Sequence, residues 1–391
     1  MQLDALEIAV VGGGIAGLAA ALALRARGAD VTVLEQAPEI AEVGAGIQIS
    51  PNGLCVLRAL GLDDALARRA PRAAAVSLRR GEDGGEVLRL DLSRLGPDRG
   101  YHFVHRADLV ELLAGAARAA GVRIRLLQRV AAVEDGPRAR IVLENGAAHA
   151  ADLVVGADGL HSRTRHALGA APPARFTGQV AWRALLPNVT GQPAEVRVHM
   201  GPGRHMVSYP LRDGRTLNLV AVEERAAWAE EGWHHEDDPA RLRAAFAGFG
   251  GDVPAILGAL GRVHVWGLFR HPVAARWHGR SVAILGDAAH PTLPFLAQGA
   301  NLALEDAWVL ADALGRAEDL AAGLAEFEAR RRTRAARVVA AASRNAWRYH
   351  LRPGPLRWLA HGALRAGGRL APGAMLGGFD WLYGHDVTAE G

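Results

Sequence analysis

Two short apolar runs, at residues 6–11 and 31–34, flank a glycine cluster and an alanine-rich stretch near the start of the chain. The first run ends at Gly12-Gly13-Gly14, residues 15–27 then read as a helix that Gly28 stops, and Glu35 closes the second run. Strand, tight turn, helix and strand within about 30 residues is a βαβ unit. Residues 152–155 and 281–285 have the same buried-strand character. Residues 108–120 carry Leu109, Leu112 and Leu113 on one helical face.

Residues 76–92 predict two strands around a Gly81–Gly85 turn, and 122–127 and 139–143 predict two more. From 176 to 273 strand-like stretches with turn signals dominate, and Trp182, Trp228, Trp233 and Trp266 fall among them. This pattern predicts an antiparallel sheet. A proline-containing loop after residue 285 leads to a helix from about residue 301, and a second long helix is predicted over 324–348. The fold class is therefore α/β, with two interleaved units. Segments 1–75, 103–175 and 276–345 form a Rossmann-like unit, 76–102 and 176–275 a β-sheet unit, and 346–391 a helical tail.

The 391 residues are 50% hydrophobic and 22% charged, which fits a globular protein of two or three domains and excludes disordered, collagen-like and disulfide-scaffold classes. All 45 basic residues are arginine, so neither Schiff-base chemistry nor a P-loop lysine is available. No basic run with interleaved aromatics appears, which argues against a nucleic-acid partner. The one cysteine, Cys55, excludes an intramolecular disulfide and a cysteine-based zinc site, and fits a reducing cytoplasm. The N-terminus is acidic, unlike a secretory signal, and no apolar run is long enough to span a bilayer.

Three motifs carry chemistry. In Gly12-x-Gly14-x-x-Gly17, Gly12 allows the tight turn and Gly14 the approach of a pyrophosphate. Gly17 allows close helix–strand packing, and Ala16 lies in the helix's first turn. Glu35 at the next strand end suits an unphosphorylated ribose, as in FAD or NAD. The second motif is Gly156-Ala157-Asp158-Gly159 with His161-Ser162-Arg163 after it. The third is Gly286-Asp287 followed by His290, Pro294 and Gln298-Gly299-Ala300-Asn301. An aspartate at a strand end suits ribityl hydroxyls. Amides at 299–301 would open a helix, with Glu305 and Asp306 in its first turn, and stabilise negative charge. Read alone, each of the last two is equally a strand-end turn or a helix cap.

In this order and spacing, the motifs resemble the single-component FAD-dependent aromatic hydroxylases, the class A flavoprotein monooxygenases. The resemblance runs from Ile8 to about Arg348 and includes the stretch 44–52, which contains Gly46, and His105-Arg106-Ala107-Asp108-Leu109. It implies that Glu35 holds the adenosine ribose, Arg106 contacts the flavin side and Asp287 the ribityl or pyrophosphate region. By the same resemblance Asp158 organises the FAD and NAD(P)H interaction, and Pro294 with Gly299, Ala300 and Asn301 lines the isoalloxazine. Gln298 and the pair His205 and Tyr209 resemble the salicylate, 3-hydroxybenzoate and 6-hydroxynicotinate hydroxylases.

The implied function is hydroxylation of a small phenolic or hydroxylated heteroaromatic acid, with NADH or NADPH as a transient co-substrate and O2, through a flavin C4a-hydroperoxide and without a metal. No second GxGxxG is present for the nicotinamide. Alternatives are a hydroxylase of a lipid-like ring and a non-catalytic flavin-binding redox sensor. A homodimer is common among such enzymes.

The His205 and Tyr209 pair also has a reading from the residues. Strands are predicted over 205–211 and 216–222 with Asp213-Gly214 as the turn, which sets Tyr209 opposite Asn218 and His205 opposite Val222. His205, Tyr209 and Asn218 then share one face among valines. Either that face contacts substrate, with His205 as base, Tyr209 orienting the ring and Gln298 nearby, or both are ordinary sheet residues while Met206 and Leu219 mark the buried face. Elsewhere, His290 and Cys55 read as structural and core residues. Arg330-Arg331-Arg332 reads as a solvated helix face, and Trp358, Leu359, Trp381 and Leu382 as packing on the body.

Overall fold

The computed structural model describes residues 3–40, 45–169, 172–225 and 235–390. Gly44, Trp228 and Trp233 lie outside the described residues. The initial βαβ unit is present as β1 (Glu7–Val11), α1 (Ile15–Arg25) and β2 (Asp30–Leu34). Two further strands, β3 (Gly46–Ile49) and β6 (His102–His105), pair antiparallel as a small ribbon. The helices α2 (Pro51–Ala59) and α3 (Asp63–Ala67) follow β3, and α4 (Arg106–Ala119) follows β6.

A five-stranded parallel sheet takes the order β18-β11-β1-β2-β7, with β7 at Arg123–Arg125, β11 at Leu153–Gly156 and β18 at Val282–Ile284. Apart from the edge strand β7, whose two arginines are exposed, its strands are apolar because α1 and its neighbours cover them. The short strands β8 (Val130–Glu134), β9 (Ala139–Leu143) and β10 (Ala148–Ala151) form an antiparallel sheet of their own. Sequence reading misses β8 and β10 because their exposed positions break the alternation.

The larger sheet takes the order β16-β17-β12-β15-β14-β13-β4-β5. It contains β4 (Ala75–Arg80), β5 (Glu86–Asp91), β12 (Arg175–Pro187), β13 (Glu195–Gly201), β14 (Arg204–Leu211), β15 (Thr216–Glu224), β16 (Glu236–Asp237) and β17 (Val263–Arg270). The predicted hairpin register is the one found: Tyr209 opposes Asn218 and His205 opposes Val222. One face, with Met206, Leu219 and Trp182, lies under α5 (Pro239–Ala245) and α6 (Val253–Gly258). The opposite face is also buried. Val222, Ala181 and Trp266 pack there against Leu293 and Phe295, and Tyr209 packs with Phe103.

Helix α7 (Gly299–Arg316) runs through the interior, and α8 (Leu320–Tyr349) packs on it. Small side chains on α1, with Ala19, Ala20, Ala21 and Ala23 fully buried, let α7 approach. The tail forms α9 (Pro355–Leu370), α10 (Pro372–Gly377) and α11 (Asp380–Tyr383). Leu382 packs on the body as expected, but Trp358 is 76% and Leu359 60% exposed because α9 turns them outward. No described helix is long and apolar enough to cross a membrane.

Candidate active site

The carboxyl ends of the parallel strands open into a cleft of about 910 Å³. Gly12, Gly14, Glu35, Arg106 and Asp158 all line it, from four points of the chain. Gly12 has φ +106°, and a Cβ there would lie 2.5 Å from the Ala157 carbonyl oxygen, so only glycine makes this turn. A Cβ on Gly17 would lie 1.9 Å from the Gly12 oxygen, whereas one on Gly14 would meet nothing within 4 Å. Gly14 thus leaves an open approach to the first turn of α1, which no side chain caps. The free amides of that turn and the helix dipole suit a pyrophosphate. Ala16 packs against the Gly286 turn, where a Cβ would meet it at 3.0 Å. Glu35 accepts from the Gly13 and Ala37 amides at 2.6 and 2.8 Å, which aims its carboxylate along the cleft edge. These residues fit the ribose and pyrophosphate of a dinucleotide.

The Asp158 carboxylate is engaged differently from the sequence expectation. It accepts from Ser162 Oγ (2.6 Å), the amides of Arg163 and Thr164 (2.8 and 2.9 Å) and Thr164 Oγ1 (3.0 Å). It therefore ties its own loop and shapes the cleft wall. Asp287 is exposed, and its backbone carbonyl accepts from Arg165. Pro294 is exposed, and Gly299 and Ala300 lie half-buried at the start of α7.

Three of the expected site residues, Gly46, Gln298 and Asn301, make contacts within the protein. Gly46 packs on the sheet face: a Cβ would lie 2.7 Å from both Tyr209 Cε2 and Asn218 Cγ, and its amide donates to Asn218 Oδ1 at 2.8 Å. Gln298 is buried with both ends of its amide bonded, Nε2 to Ser50 Oγ and Oε1 from Asn52 Nδ2, each at 3.0 Å. It stitches the loop to α2 rather than presenting a free amide. Asn301 does likewise, donating to the Gln48 and Ala297 carbonyls and accepting from the Ser50 amide.

One expectation needs correcting: Arg331, expected on a solvated helix face, is 1% exposed. Because α7 begins at Gly299, Glu305 and Asp306 fall in its second turn, inside the protein. Arg331 pairs with Glu305 at 2.7 Å and Asp306 at 2.8 Å, and Arg334 forks onto Glu305 at 2.7 Å. Glu305 also accepts from Asn52 (2.6 Å), while Asp306 takes His290 Nε2 (2.5 Å) and the Gly286 amide (3.0 Å). Burial pushes both carboxyls up, but the neighbouring cations outweigh it and hold them below their usual range, Asp306 at about 2. His290 is structural, stacked on Trp277. Cys55 donates to the Asn52 carbonyl at 3.0 Å, and burial pushes its thiol pKa far up, which leaves it inert.

His205 and Tyr209 sit 2% and 3% exposed on the sheet face turned toward Phe295 and the β3–β6 ribbon. Burial, and then the neighbouring His350, hold His205 well below the ordinary histidine range; burial pushes the Tyr209 phenol up to about 12. Asn218 is fully buried opposite Tyr209, and its Nδ2 has no hydrogen-bond partner among the described residues. Register places Arg183 of β12 on the same face, across Val220 from Val207, with its guanidinium 5.2 Å from the Trp266 ring centroid. Continuing the strand alternation one strand further would have found it.

A glycine turn opening onto a cleft, an acid at the next strand end and a buried polar face beside a second sheet define a flavin-binding oxidoreductase. The sequence matches the FAD binding domain family over residues 5–342, and the chain belongs to that family and to its FAD-dependent aromatic monooxygenases. It is 38% identical to the 3-amino-4-hydroxybenzoate 2-monooxygenase PtmB3 of Streptomyces platensis, covering 98% of this chain and 97% of that one. It is 32% identical to the 6-hydroxynicotinate 3-monooxygenase of Bordetella bronchiseptica, over 98% and 96%. Klebsiella pneumoniae HpxO, solved with FAD and uric acid, superposes with a TM-score of 0.83 at 28% identity, covering 95% of each chain.

Proposed function

We propose that this chain hydroxylates a small phenolic or hydroxylated heteroaromatic acid, drawing electrons from NADH or NADPH and oxygen from O2. The observation that carries this reading is the sheet face itself. Asn218 Nδ2, a buried donor without a partner among the described residues, lies beside the buried Tyr209 on a face that also carries His205 and Arg183. A buried unsatisfied donor costs about 1–3 kcal/mol, which a ligand oxygen would recover. Arg183 gives the face a positive charge suited to a carboxylate. Relatives named for amino-hydroxybenzoate and hydroxynicotinate support the same class.

When bound, FAD supplies acceptance of hydride and activation of O2. Gly12, Gly14, Glu35 and Arg106 would hold it, with segments 1–75, 103–175 and 276–345 as its unit and 76–102 and 176–275 as the substrate's. His205, kept neutral by burial, takes the phenolic proton and makes the ring nucleophilic. Tyr209 and Asn218 orient the ring oxygen. Leu293, Phe295, Val222 and Trp266 exclude water from the face. The lone cysteine fits a reducing cytoplasm.

The test is oxidation of NADH and NADPH by the FAD-loaded protein in air. The panel comprises hydroxybenzoates, 3-amino-4-hydroxybenzoate, hydroxynicotinates and quinone precursors, with products identified by mass. The expected result is one aromatic acid that accelerates oxidation and gains one oxygen. Stimulation by none of the acids, or by a quinone precursor alone, overturns the reading.

A further inference from the structure

We infer that His205, His350 and Glu224 form a proton relay from the buried sheet face to solvent, in which His350 and Glu224 are positioning residues for the base. The inference rests on the proposed hydroxylase reading and extends it to two residues that carry no sequence motif. His205 Nδ1 lies 2.7 Å from His350 Nε2, and His350 Nδ1 lies 2.8 Å from Glu224 Oε1. Along this line exposure rises from 2% for His205 and 5% for His350 to 48% for the Glu224 side chain. The three come from β14, the end of α8 and the end of β15. Backbone bonds hold the junction together, since the Gly203 amide donates to the His350 carbonyl and the Glu224 amide to the Gly203 carbonyl.

The chemistry of the line sets its tautomers. An ionised Glu224 only accepts, so His350 carries its proton on Nδ1 and offers the Nε2 lone pair. His205 must then donate from Nδ1, which leaves the lone pair on its Nε2. A carboxylate 126 positions from His350 along the chain, but adjacent to it in space, thus selects the basic nitrogen of His205.

The proton steps balance without any redox change. A substrate O–H bond breaks as an N–H bond forms on His205 Nε2. His205 Nδ1 passes its proton to His350 Nε2, and His350 Nδ1 passes its own to Glu224 and on to water. Around His205 stand His350, Tyr349 and Phe295; around His350 stand Glu224 and Arg204, with Glu223 paired to Arg204. Burial and the second imidazole disfavour a charge held on His205, so a proton taken there is driven outward.

The experiment compares the FAD-loaded wild type with His350→Gln and Glu224→Ala. Glutamine still accepts from His205 Nδ1 through its amide oxygen but passes no proton. With the acid identified in the panel, or 3-amino-4-hydroxybenzoate as first probe, kcat of His350→Gln is expected to fall at least about tenfold at pH 7 with KM within about threefold. The deficit should close to within about threefold above the phenol's own pKa, where solvent deprotonates it. A loss independent of pH, or no loss, overturns the relay, because a packing role would not follow substrate ionisation. If the wild type hydroxylates no acid, the functional reading fails by itself. The relay is then judged by 15N NMR of histidine-labelled holoprotein. Nδ1–H tautomers at His205 and His350, the former lost in Glu224→Ala, support it, and Nε2–H at His205 in the wild type overturns it. FAD content and melting temperature show that each variant is folded.

Discussion

Replacing Arg331 by methionine separates two views of the Arg330-Arg331-Arg332 run. On a solvated helix face the change would alter stability by no more than about 0.5 kcal/mol. The structure buries the guanidinium against two carboxylates on the interior helix α7. Removing one partner of a buried ion pair costs about 3–5 kcal/mol. Here the lower end applies, because Glu305 keeps the Arg334 fork and Asp306 keeps His290 and the Gly286 amide. At about 2.1 cal/mol/K of unfolding entropy per residue, a loss of about 3 kcal/mol in this 391-residue chain corresponds to a fall in melting temperature of about 4 °C. The assay is thermal unfolding of the FAD-loaded protein by circular dichroism, with Arg332→Met as the reference. The Arg332 side chain is 50% exposed and pairs with Glu328 at the surface, so its loss should be small. Melting temperatures for the two variants within about 1 °C of each other would refute the buried-network argument.

The same network makes an acid-stability prediction. Asp306 is held at about 2 against an ordinary 3.8, so its contribution is fully present above pH 3.8 and is lost as pH falls toward 2. The contribution amounts to about 2 kcal/mol, and urea midpoints between pH 5 and 2.5 should fall less steeply in Asp306→Asn than in the wild type. Gly17→Ala should destabilise by about 3 kcal/mol or more, because its Cβ meets a backbone oxygen that has no room to move; soluble yield and melting temperature read this. Gly14→Ala should leave the melting temperature of the apoprotein within about 2 °C, yet weaken FAD binding at least about tenfold by fluorescence titration, about 1.4 kcal/mol. Gly46→Ala should push Tyr209 and Asn218 aside and raise KM for the aromatic acid with little change in FAD affinity, measured by steady-state kinetics.

Some of the site was legible residue by residue. The turn at Gly12 and the acid at Glu35 could be read because each depends on neighbours within one βαβ unit. The pairing of Tyr209 with Asn218 followed from the turn at Asp213-Gly214, since a short hairpin leaves one register. Gln298 and Asn301 were legible as residues of interest but not in what they bind. Their partners Ser50, Asn52 and Gln48 lie about 250 positions away, and an amide near a cleft reads the same whether it faces a ligand or a loop. The apolar tail divides for a similar reason: Leu382 finds a pocket between α7 and α8, and Trp358 meets no opposing surface.

Local pattern by itself determined the α/β class, the phosphate-type turn and the hairpin that sets Tyr209 beside Asn218, because hydrogen bonding and side-chain alternation over a few residues decide them. Tertiary structure alone decided which polar groups are buried. Arg331 and Glu305 look like surface charges until α7 is enclosed on every side, and desolvation then obliges each to find an opposite charge. His350 becomes a neighbour of His205 only when the end of α8 returns to the edge of the sheet, across 145 positions of chain. Burial is a property of what lies on the far side of a residue, and that neighbour is set by the packing of distant elements.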